Sequence, residues 1–263
     1  MGNTYFQFKQ FRIEQSGCAM KVCTDACIFG AWYAQRIKNC NTVLDIGSGT
    51  GLLMMMLAQQ SDAVIHGIEI EAACYQQLLN NVSAHPWSHR IKAFYGDARE
   101  FNFPVKYDFI ISNPPFYDND LSSMNSGRQL AMHSTALRLD ELADVISRQL
   151  NHAGRAGILL PAHRAEAFDL AAAAFSLVPV ERLLVRHTES HPWFRSITTY
   201  VKRNEDEAGA AVAKLLPDDR ETVSNANEQG THNPALTVQE LTIRNSDGSY
   251  TDKFMSLLGD YYL

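Results

Sequence analysis

The sequence predicts an α/β fold in which helices cover both faces of a doubly wound, mostly parallel β-sheet. From residue 42 onward, short apolar stretches of strand length alternate with stretches of helical periodicity, a pattern typical of such sheets. The first of these strands ends in the glycine-rich turn 47–51, where parallel sheets commonly bind ligands. The length of 263 residues fits one large domain of this class.

Periodicity and turn residues place the individual elements. Seven strands are expected in the sheet, the last two as an antiparallel hairpin: Thr42–Ile46, 63–68, Ile91–Tyr95, Tyr107–Ser112, 156–160, 177–185 and 196–202. Helices are expected at 52–59, 71–84, 138–150, 162–174 and 251–258, with a further short strand at 241–244. Ahead of the sheet, Thr24 or Asp25 is expected to cap a helix that runs through Ile28 and Trp32. Right-handed crossovers between the strands give the doubly wound arrangement.

Composition excludes several classes of protein. Apolar residues make up 46% and charged residues 20%, which is typical of a globular chain. The longest apolar run, 52–58, is far shorter than the ~18 residues of a membrane span. No basic start precedes an apolar stretch, so we expect no secretory signal and a cytoplasmic location. The five cysteines form no C-x-x-C pair, so we expect reduced thiols and no metal site.

The negative charge is concentrated in one segment. Residues 204–240 contain eight acidic and two basic residues, which accounts for the formal net charge of −6. The same segment lacks strand or helix periodicity, and we interpret 205–234 as a mobile acidic insertion. The remainder of the chain is neutral, so charge alone does not identify a partner.

The turn after the first strand is a candidate cofactor loop. Gly47 and Gly49 allow the backbone to approach a ligand closely. A dinucleotide motif G-x-G-x-x-G fails here because Leu52 occupies its last position. Asp45 can hold an ammonium group, such as the one in the amino acid moiety of S-adenosylmethionine (SAM). NAD, another nucleotide or a plain tight turn remain alternatives for the loop alone.

Two further carboxylates follow the next strands. Glu69 ends the second strand, where a carboxylate can accept both hydroxyl groups of a ribose. Asp97 follows the third strand and could accept the exocyclic amine of an adenine, although Gly-Asp also forms ordinary turns. Together with Asp45, these acids at successive strand ends favour SAM.

The most specific motif is Asn113-Pro114-Pro115-Phe116, directly after the fourth strand. The side-chain oxygen of Asn113 and the carbonyl of Pro114 can each accept one hydrogen of an amine whose lone pair is delocalised into a ring. Pro115 helps to fix that carbonyl, and Phe116 offers a face for stacking an extruded base. The methyl sulfonium already carries its activating charge, so positioning supplies most of the catalysis without a metal.

Basic residues give weaker signals. Lys9 and Arg12 alternate with phenylalanines near the N-terminus. A second group surrounds the predicted hairpin and comprises Arg186, His187, His191, Arg195, Lys202 and Arg203. Either group is an ordinary solvated face or a surface that contacts phosphates, and we take Lys9, Arg12 and Arg195 as candidate substrate contacts.

These motifs together resemble the SAM-dependent N6-adenine methyltransferases that modify adenine 37 of bacterial valine tRNA. The resemblance spans nearly the whole chain and rests on Phe8-Lys9-Gln10-Phe11, 19–25, 30–32, 45–51, 112–116, Tyr250-Thr251 and Tyr261-Tyr262-Leu263. It implies a class I, Rossmann-like methyltransferase domain at 41–263, and SAM contacts at Asp45, Gly47, Gly49, Glu69 and Asp97. It also implies that the segment 1–40 caps the cofactor through Lys21, Thr24 and Asp25. Family members often carry tyrosine where Phe116 stands.

We therefore expect a tRNA adenine-N6 methyltransferase that uses SAM, acts as a monomer and needs neither metal nor membrane. Three alternatives stay open at this point. The first is an rRNA methyltransferase acting on guanine N2 or adenine N6, and the second is an N5-glutamine methyltransferase acting on a protein. The third is an RNA-binding module that retains SAM without catalysis.

Overall fold

The computed structural model describes residues 3–115, 137–203 and 235–262. The predicted stacking residue Phe116 and the predicted insertion 205–234 lie outside these ranges. The strands are β1 (Tyr5–Gln7), β2 (Arg12–Glu14), β3 (Thr42–Ile46), β4 (Val64–Glu69), β5 (Ile91–Tyr95), β6 (Tyr107–Ser112), β7 (Leu150–Pro161), β8 (Leu177–Arg186), β9 (Arg195–Lys202) and β10 (Thr237–Thr242). The α-helices are α1 (Thr24–Ala34), α2 (Leu52–Gln60), α3 (Ala72–Ser83), α4 (Leu139–Gln149), α5 (Ala165–Ala173) and α6 (Asp252–Leu258).

The main sheet confirms the predicted α/β class. In the described ranges it has eight strands in the order β10-β8-β9-β7-β6-β3-β4-β5, one more than expected because β10 adds to the edge. Strand β9 is antiparallel to β7 and β8, and the other pairings are parallel. The final antiparallel hairpin was therefore correctly predicted.

Strand order positions a crevice next to β3. The chain moves outward from β3 to β4 and β5, then returns past β3 to β6 and β7, so the winding direction reverses at β3. Ligands of such sheets bind beyond the carboxyl ends of the strands at this reversal. Here these strands are β3 and β6, whose last residues Ile46 and Ser112 are register partners. We call the side of the sheet where the parallel strands end the carboxyl edge, and the opposite side the amino edge.

Alternate strand residues fill two apolar layers, because successive side chains point to opposite faces of a sheet. Val43 and Ile111 belong to the layer beneath α1, α2, α3 and α6. Leu44 and Ile110 belong to the layer beneath α4 and α5. The strands are therefore covered on both faces, which explains their nearly continuous apolar sequence.

The N-terminal segment forms a small antiparallel hairpin, β1–β2, which we did not anticipate. Phe8 stacks on Phe11 with ring centroids 4.3 Å apart, and both rings are buried. Phe8 also meets the edge of Tyr262 from the C-terminal tail at 5.8 Å. The aromatic half of this aromatic and cationic segment therefore packs inward, while Lys9 and Arg12 face outward.

Two sequence-based expectations are corrected here. The structure pairs Cys18 and Cys74 as a disulfide with Cα atoms 5.0 Å apart, where we expected reduced thiols. The β2–α1 connection lies against the start of α3, and this tertiary contact joins residues 56 positions apart. The N-cap of α1 is Cys23, without a side-chain cap, so the expected cap by Thr24 or Asp25 is wrong. No helix in the described ranges is long and apolar enough to span a membrane.

Candidate functional site

The glycine turn after β3 forms an open cradle at the carboxyl edge. Gly47, Gly49 and Gly51 have φ values of 75°, 54° and 83°, in the left-handed region that side chains disfavour. Around Gly47 and Gly49, no atom of the described residues other than the adjoining ones lies within 4 Å of the place where a Cβ would stand. The amides of Gly47 and Ser48 donate to the carbonyl of Ile68 at 3.0 and 3.1 Å, which fixes the turn to β4. A ligand can therefore approach this backbone closely.

Glu69 lies at the end of β4 and holds the cradle from one side. Its Oε2 accepts a hydrogen bond from the amide of Gly49 at 2.8 Å, and its Oε1 accepts one from Glu71 at 2.8 Å. Burial raises the pKa of Glu69, while these backbone hydrogen bonds oppose the rise. Each carboxylate oxygen can accept a second hydrogen bond, so ribose hydroxyl groups remain suitable partners.

Asp45 is fully buried in β3, and within the described part of the chain neither carboxylate oxygen has a hydrogen-bond partner. Burial, followed by the negative charge of Glu69, raises the pKa of Asp45 to about 8. A buried carboxyl group without a partner costs free energy, and a positively charged ligand group would offset that cost. This position therefore suits the ammonium group that we expected it to hold.

Asn113 follows β6 directly, as Gly47 follows β3, so the register of the two strands brings these residues to the same edge. The Asn113 Oδ1 atom is buried and has no hydrogen-bond partner among the residues that the structure describes. Pro114 is buried, whereas Pro115 is exposed. The strand before them is anchored by Ser112, whose hydroxyl donates to the carbonyl of Ile46 at 2.8 Å. The structure thus provides an unpaired acceptor beside the cradle, while Phe116 lies outside the described residues.

Asp97 follows β5, at the same edge, but its carboxylate already has a strong partner. Arg99 Nε lies 3.0 and 2.9 Å from the two Asp97 oxygens, and Nη2 lies 2.5 Å from Oδ2. These hydrogen bonds lower the pKa of Asp97. Arg99 also reaches Glu141 of α4 at 3.2 Å. The predicted contact of Asp97 with an adenine amine must therefore share this carboxylate with Arg99.

Two of the three residues expected to cap the cofactor, Lys21 and Asp25, bond to neighbouring segments. The Lys21 ammonium group donates to the carbonyls of Gln15 and Cys18. Thr24 is exposed at the start of α1. Asp25 pairs with Arg195 at the start of β9, with 2.6 Å between Oδ2 and Nε. This ion pair links the segment 1–40 to β9, whose first residue, Arg195, is itself a predicted substrate contact.

Lys9 and Arg12 are not brought to this site. Lys9 Nζ donates to the carbonyl of Gly259 at 2.6 Å, and the neighbouring Asp260 bonds to Gln60 at the far end of α2. Arg12 pairs with Glu14 at 2.7 Å and lies over the Tyr5 ring at 3.6 Å. Both cations therefore lie toward the amino edge, and their predicted role in substrate binding remains a prediction.

Sequence reasoning missed Asn81, which joins the N-terminal hairpin to the cradle. Its Nδ2 donates to the carbonyls of Glu14 and Thr50 at 2.9 and 2.8 Å, and its Oδ1 accepts from the amide of Glu14 at 3.0 Å. The side chain is only 2% exposed. An asparagine on the inner face of a helix was the sequence signal, because a buried amide requires partners.

The residues present fit SAM. The open backbone at Gly47 and Gly49 accommodates a ligand, Asp45 supplies a carboxyl group without a partner among the described residues, and Glu69 supplies acceptors for hydroxyl groups. In the described ranges, no group of three histidine, cysteine or acidic residues is arranged to hold a metal ion.

Comparison with known proteins identifies the family. The model of the methyltransferase small domain matches residues 32–152. A tRNA1(Val) (adenine(37)-N6)-methyltransferase of Dyadobacter fermentans is 39% identical over 199 residues, covering 75% of this chain and 82% of the relative. A relative with the same name from Cytophaga hutchinsonii is 34% identical over 265 residues, covering 100% of this chain and 99% of the relative.

A solved structure supports the same fold. It is described as a predicted O-methyltransferase from Agrobacterium tumefaciens and superimposes with a TM-score of 0.60 at 13% identity, covering 89% of this chain and 95% of that one. At this identity the likeness concerns the fold alone. On the strength of its curated relatives, the chain belongs to the family of the tRNA1(Val) (adenine(37)-N6)-methyltransferases.

Proposed function

We propose that the protein transfers a methyl group from SAM to the N6 amine of adenine 37 in valine tRNA, the reaction after which its relatives are named. The observation that carries this proposal is the buried Asn113 Oδ1, which no described residue bonds, beside the open glycine cradle. A buried acceptor without a partner is unfavourable in the free protein, so a ligand that donates to it is the expected partner.

The chain's own residues orient the amine. Asn113 Oδ1 and the carbonyl of Pro114 each accept one of its hydrogens, which draws the nitrogen lone pair out of conjugation with the ring and aims it at the methyl donor. SAM supplies a methyl group on a positively charged sulfur, so no metal is needed to activate it. Neither acceptor is a base at neutral pH, and the proton lost by the amine passes to solvent after transfer.

The cofactor is held by groups at the carboxyl edge of the sheet. Gly47 and Gly49 allow close approach of the backbone, Glu69 accepts the ribose hydroxyls, and Asp45 receives the ammonium group. Holding the donor and the amine in one arrangement converts a bimolecular reaction into a unimolecular one, which supplies a large part of the rate enhancement.

The segment 1–40 acts as a cap in this proposal. Its support is the set of contacts that tie it to the carboxyl edge: Asp25 with Arg195, and Asn81 with both Glu14 and Thr50. Adenine 37 is unpaired in an anticodon loop, so extruding it costs little free energy. We further propose that the protein works in the cytoplasm, as a monomer.

The test is methyl transfer from labelled SAM to unmodified valine tRNA, followed by nucleoside analysis. We expect label on N6-methyladenosine, and none when adenine 37 is replaced by guanosine in an otherwise identical transcript. Label on guanine N2, on ribosomal RNA in preference to tRNA, or on protein would refute the proposal.

A further inference from the structure

The connection between β8 and β9 carries three aromatic rings, two of them stacked, that the proposed reaction does not use. His187 stacks on Phe194 with ring centroids 4.2 Å apart and planes only 8° from parallel. The Arg186 guanidinium lies 4.4 Å from the centre of the Trp193 ring. His187 is exposed, whereas Phe194 and Trp193 are half-buried. We call His187, Trp193 and Phe194 the β8–β9 platform.

The platform lies at the carboxyl edge, near the candidate target site. Ser112 is the register partner of Ile158 in β7, which is in turn the partner of Thr198 in β9. Arg195, which follows the platform, is three residues nearer this edge than Thr198, and Asn113 is one residue beyond Ser112. With strands ~4.8 Å apart and ~3.3 Å per residue, Asn113 is about 12 Å from Arg195 and about 14 Å from Phe194, the platform residue on which the His187 ring stacks. Nucleotides adjacent to an adenine at Asn113 can therefore reach the platform.

Hydrogen bonds hold the platform in one arrangement. The amide of Phe194 donates to the carbonyl of Val185 at 2.9 Å, and the carbonyl of Phe194 accepts from Ala162 at 3.2 Å. Within the connection, the Thr188 hydroxyl and His191 Nδ1 lie 2.7 Å apart. A stacking surface that is already ordered binds a base without a further loss of conformational entropy.

The arginines beside the rings are engaged in the fold. Arg186 donates to the Thr242 hydroxyl at 2.9 Å and to the carbonyl of Glu189 at 3.3 Å. Arg195 pairs with Asp25 at 2.6 Å. These contacts leave the rings, and not the cations, as the main binding groups of this surface.

We infer that the β8–β9 platform stacks an unpaired base next to the target adenine, with His187 as the outermost ring. This inference rests on the proposed function, because it assigns the position of a flanking nucleotide in the same substrate. The exposed His187 ring is stacked in parallel on Phe194 and meets the His191 ring at a steep angle, with centroids 6.1 Å apart. A base that stacks on His187 would therefore lie beside His191, and stacking of this kind tolerates any base identity. The platform therefore contributes to tRNA affinity without selecting a flanking sequence.

The experiment compares KM for unmodified valine tRNA, and affinity for SAM, among His187→Ala, Trp193→Ala and the wild-type protein. We expect KM for tRNA to rise ~5- to 150-fold in His187→Ala, the range for loss of one base stack, with SAM affinity within twofold. His187→Phe should stay within threefold of wild type, because a phenyl ring preserves stacking and removes the ring nitrogens. The dependence of tRNA affinity on salt should keep its slope in His187→Ala, because no phosphate contact is lost.

His85→Ala is the matched control. His85 also stacks on an aromatic ring, Trp87, with centroids 6.3 Å apart, but it bonds to the N-terminal hairpin toward the amino edge. An unchanged KM for tRNA in His187→Ala, an equal rise in His85→Ala, or a loss in His187→Phe as large as in His187→Ala would overturn the inference. Failure of the wild-type protein to methylate tRNA would refute the proposed function instead, so the two failures are distinct.

Discussion

Replacing Asn113 by alanine tests the central chemical claim. Asn113 Oδ1 is buried and no residue in the described ranges bonds it, so its hydrogen-bonding capacity is available to a substrate. Removing one preorganised hydrogen-bonding group from an active site typically lowers kcat by ~10²–10³. The same substitution removes no hydrogen bond of the Oδ1 atom from the ligand-free fold. We therefore expect its free energy of unfolding to stay within about 1 kcal/mol of wild type.

The assay combines single-turnover methyl transfer to valine tRNA with urea unfolding and SAM titration. Ser61→Ala is the control, because the Ser61 hydroxyl is buried and donates to the carbonyl of Leu57 at 3.0 Å, at the far end of α2 from the cradle. We expect this control to lose about 1 kcal/mol of stability and keep its kcat. A kcat within threefold of wild type for Asn113→Ala would show that its amide does not orient the amine.

Three further predictions concern the groups around the cradle. Glu69→Gln should weaken SAM binding ~10- to 150-fold, as measured by calorimetry, because a single amide oxygen replaces two carboxylate oxygens that both accept from backbone amides. An unchanged affinity for SAM would argue against a role of Glu69 in the cradle. Asp45 has a folded-state pKa of about 8, so its folded form retains a proton that the unfolded chain releases above pH ~4. Its contribution to stability is therefore lost as pH rises from about 4 to about 8, by up to ~1.4 kcal/mol per pH unit, and urea unfolding of Asp45→Asn should lack this decline. Asn81→Ala should lower the free energy of unfolding by about 1–3 kcal/mol and weaken SAM binding, because it removes the hydrogen bonds to Glu14 and Thr50. Asn80→Ala, at the exposed neighbouring position, should change neither stability nor SAM affinity. Equal effects of the two substitutions would exclude the Asn81 hydrogen bonds as the cause.

Local sequence patterns were sufficient to predict strands of the main sheet. The bounds of β3, β5 and β6 match the predicted strands residue for residue, because each is a short apolar run that turn residues end sharply. The glycine turn was also identified correctly, since only glycine adopts the backbone conformations at residues 47, 49 and 51 at little cost. Less sharp patterns shifted: β10 begins at Thr237, four residues before the expected strand, because pairing with β8 extends it.

Contacts between residues that are far apart in the chain could not be predicted from the sequence. The partner of Asp97 proved to be Arg99, although the spacing alone equally allowed a free acceptor. The pairing of Cys18 with Cys74 depends on where the N-terminal segment lies against α3. In the sequence, Lys9, Arg12 and Arg195 are all cations near aromatic residues, and nothing separates them. In the structure, Lys9 and Arg12 lie toward the amino edge of the sheet, whereas Arg195 lies at the carboxyl edge. Each of these outcomes depends on packing over long sequence separations.

The amino-acid sequence by itself determined which residues end each strand, because strand propensity and turn formation are local properties of the chain. It thereby determined which acids, glycines and prolines belong to the carboxyl edge. Only the tertiary structure decided that Asp45 and Asn113 have buried side-chain oxygens to which no described residue bonds, and that Asp97 and Asp25 are each paired with an arginine. Whether a polar group is available to a ligand depends on its burial and on neighbours from other segments, and sequence periodicity predicts neither of them.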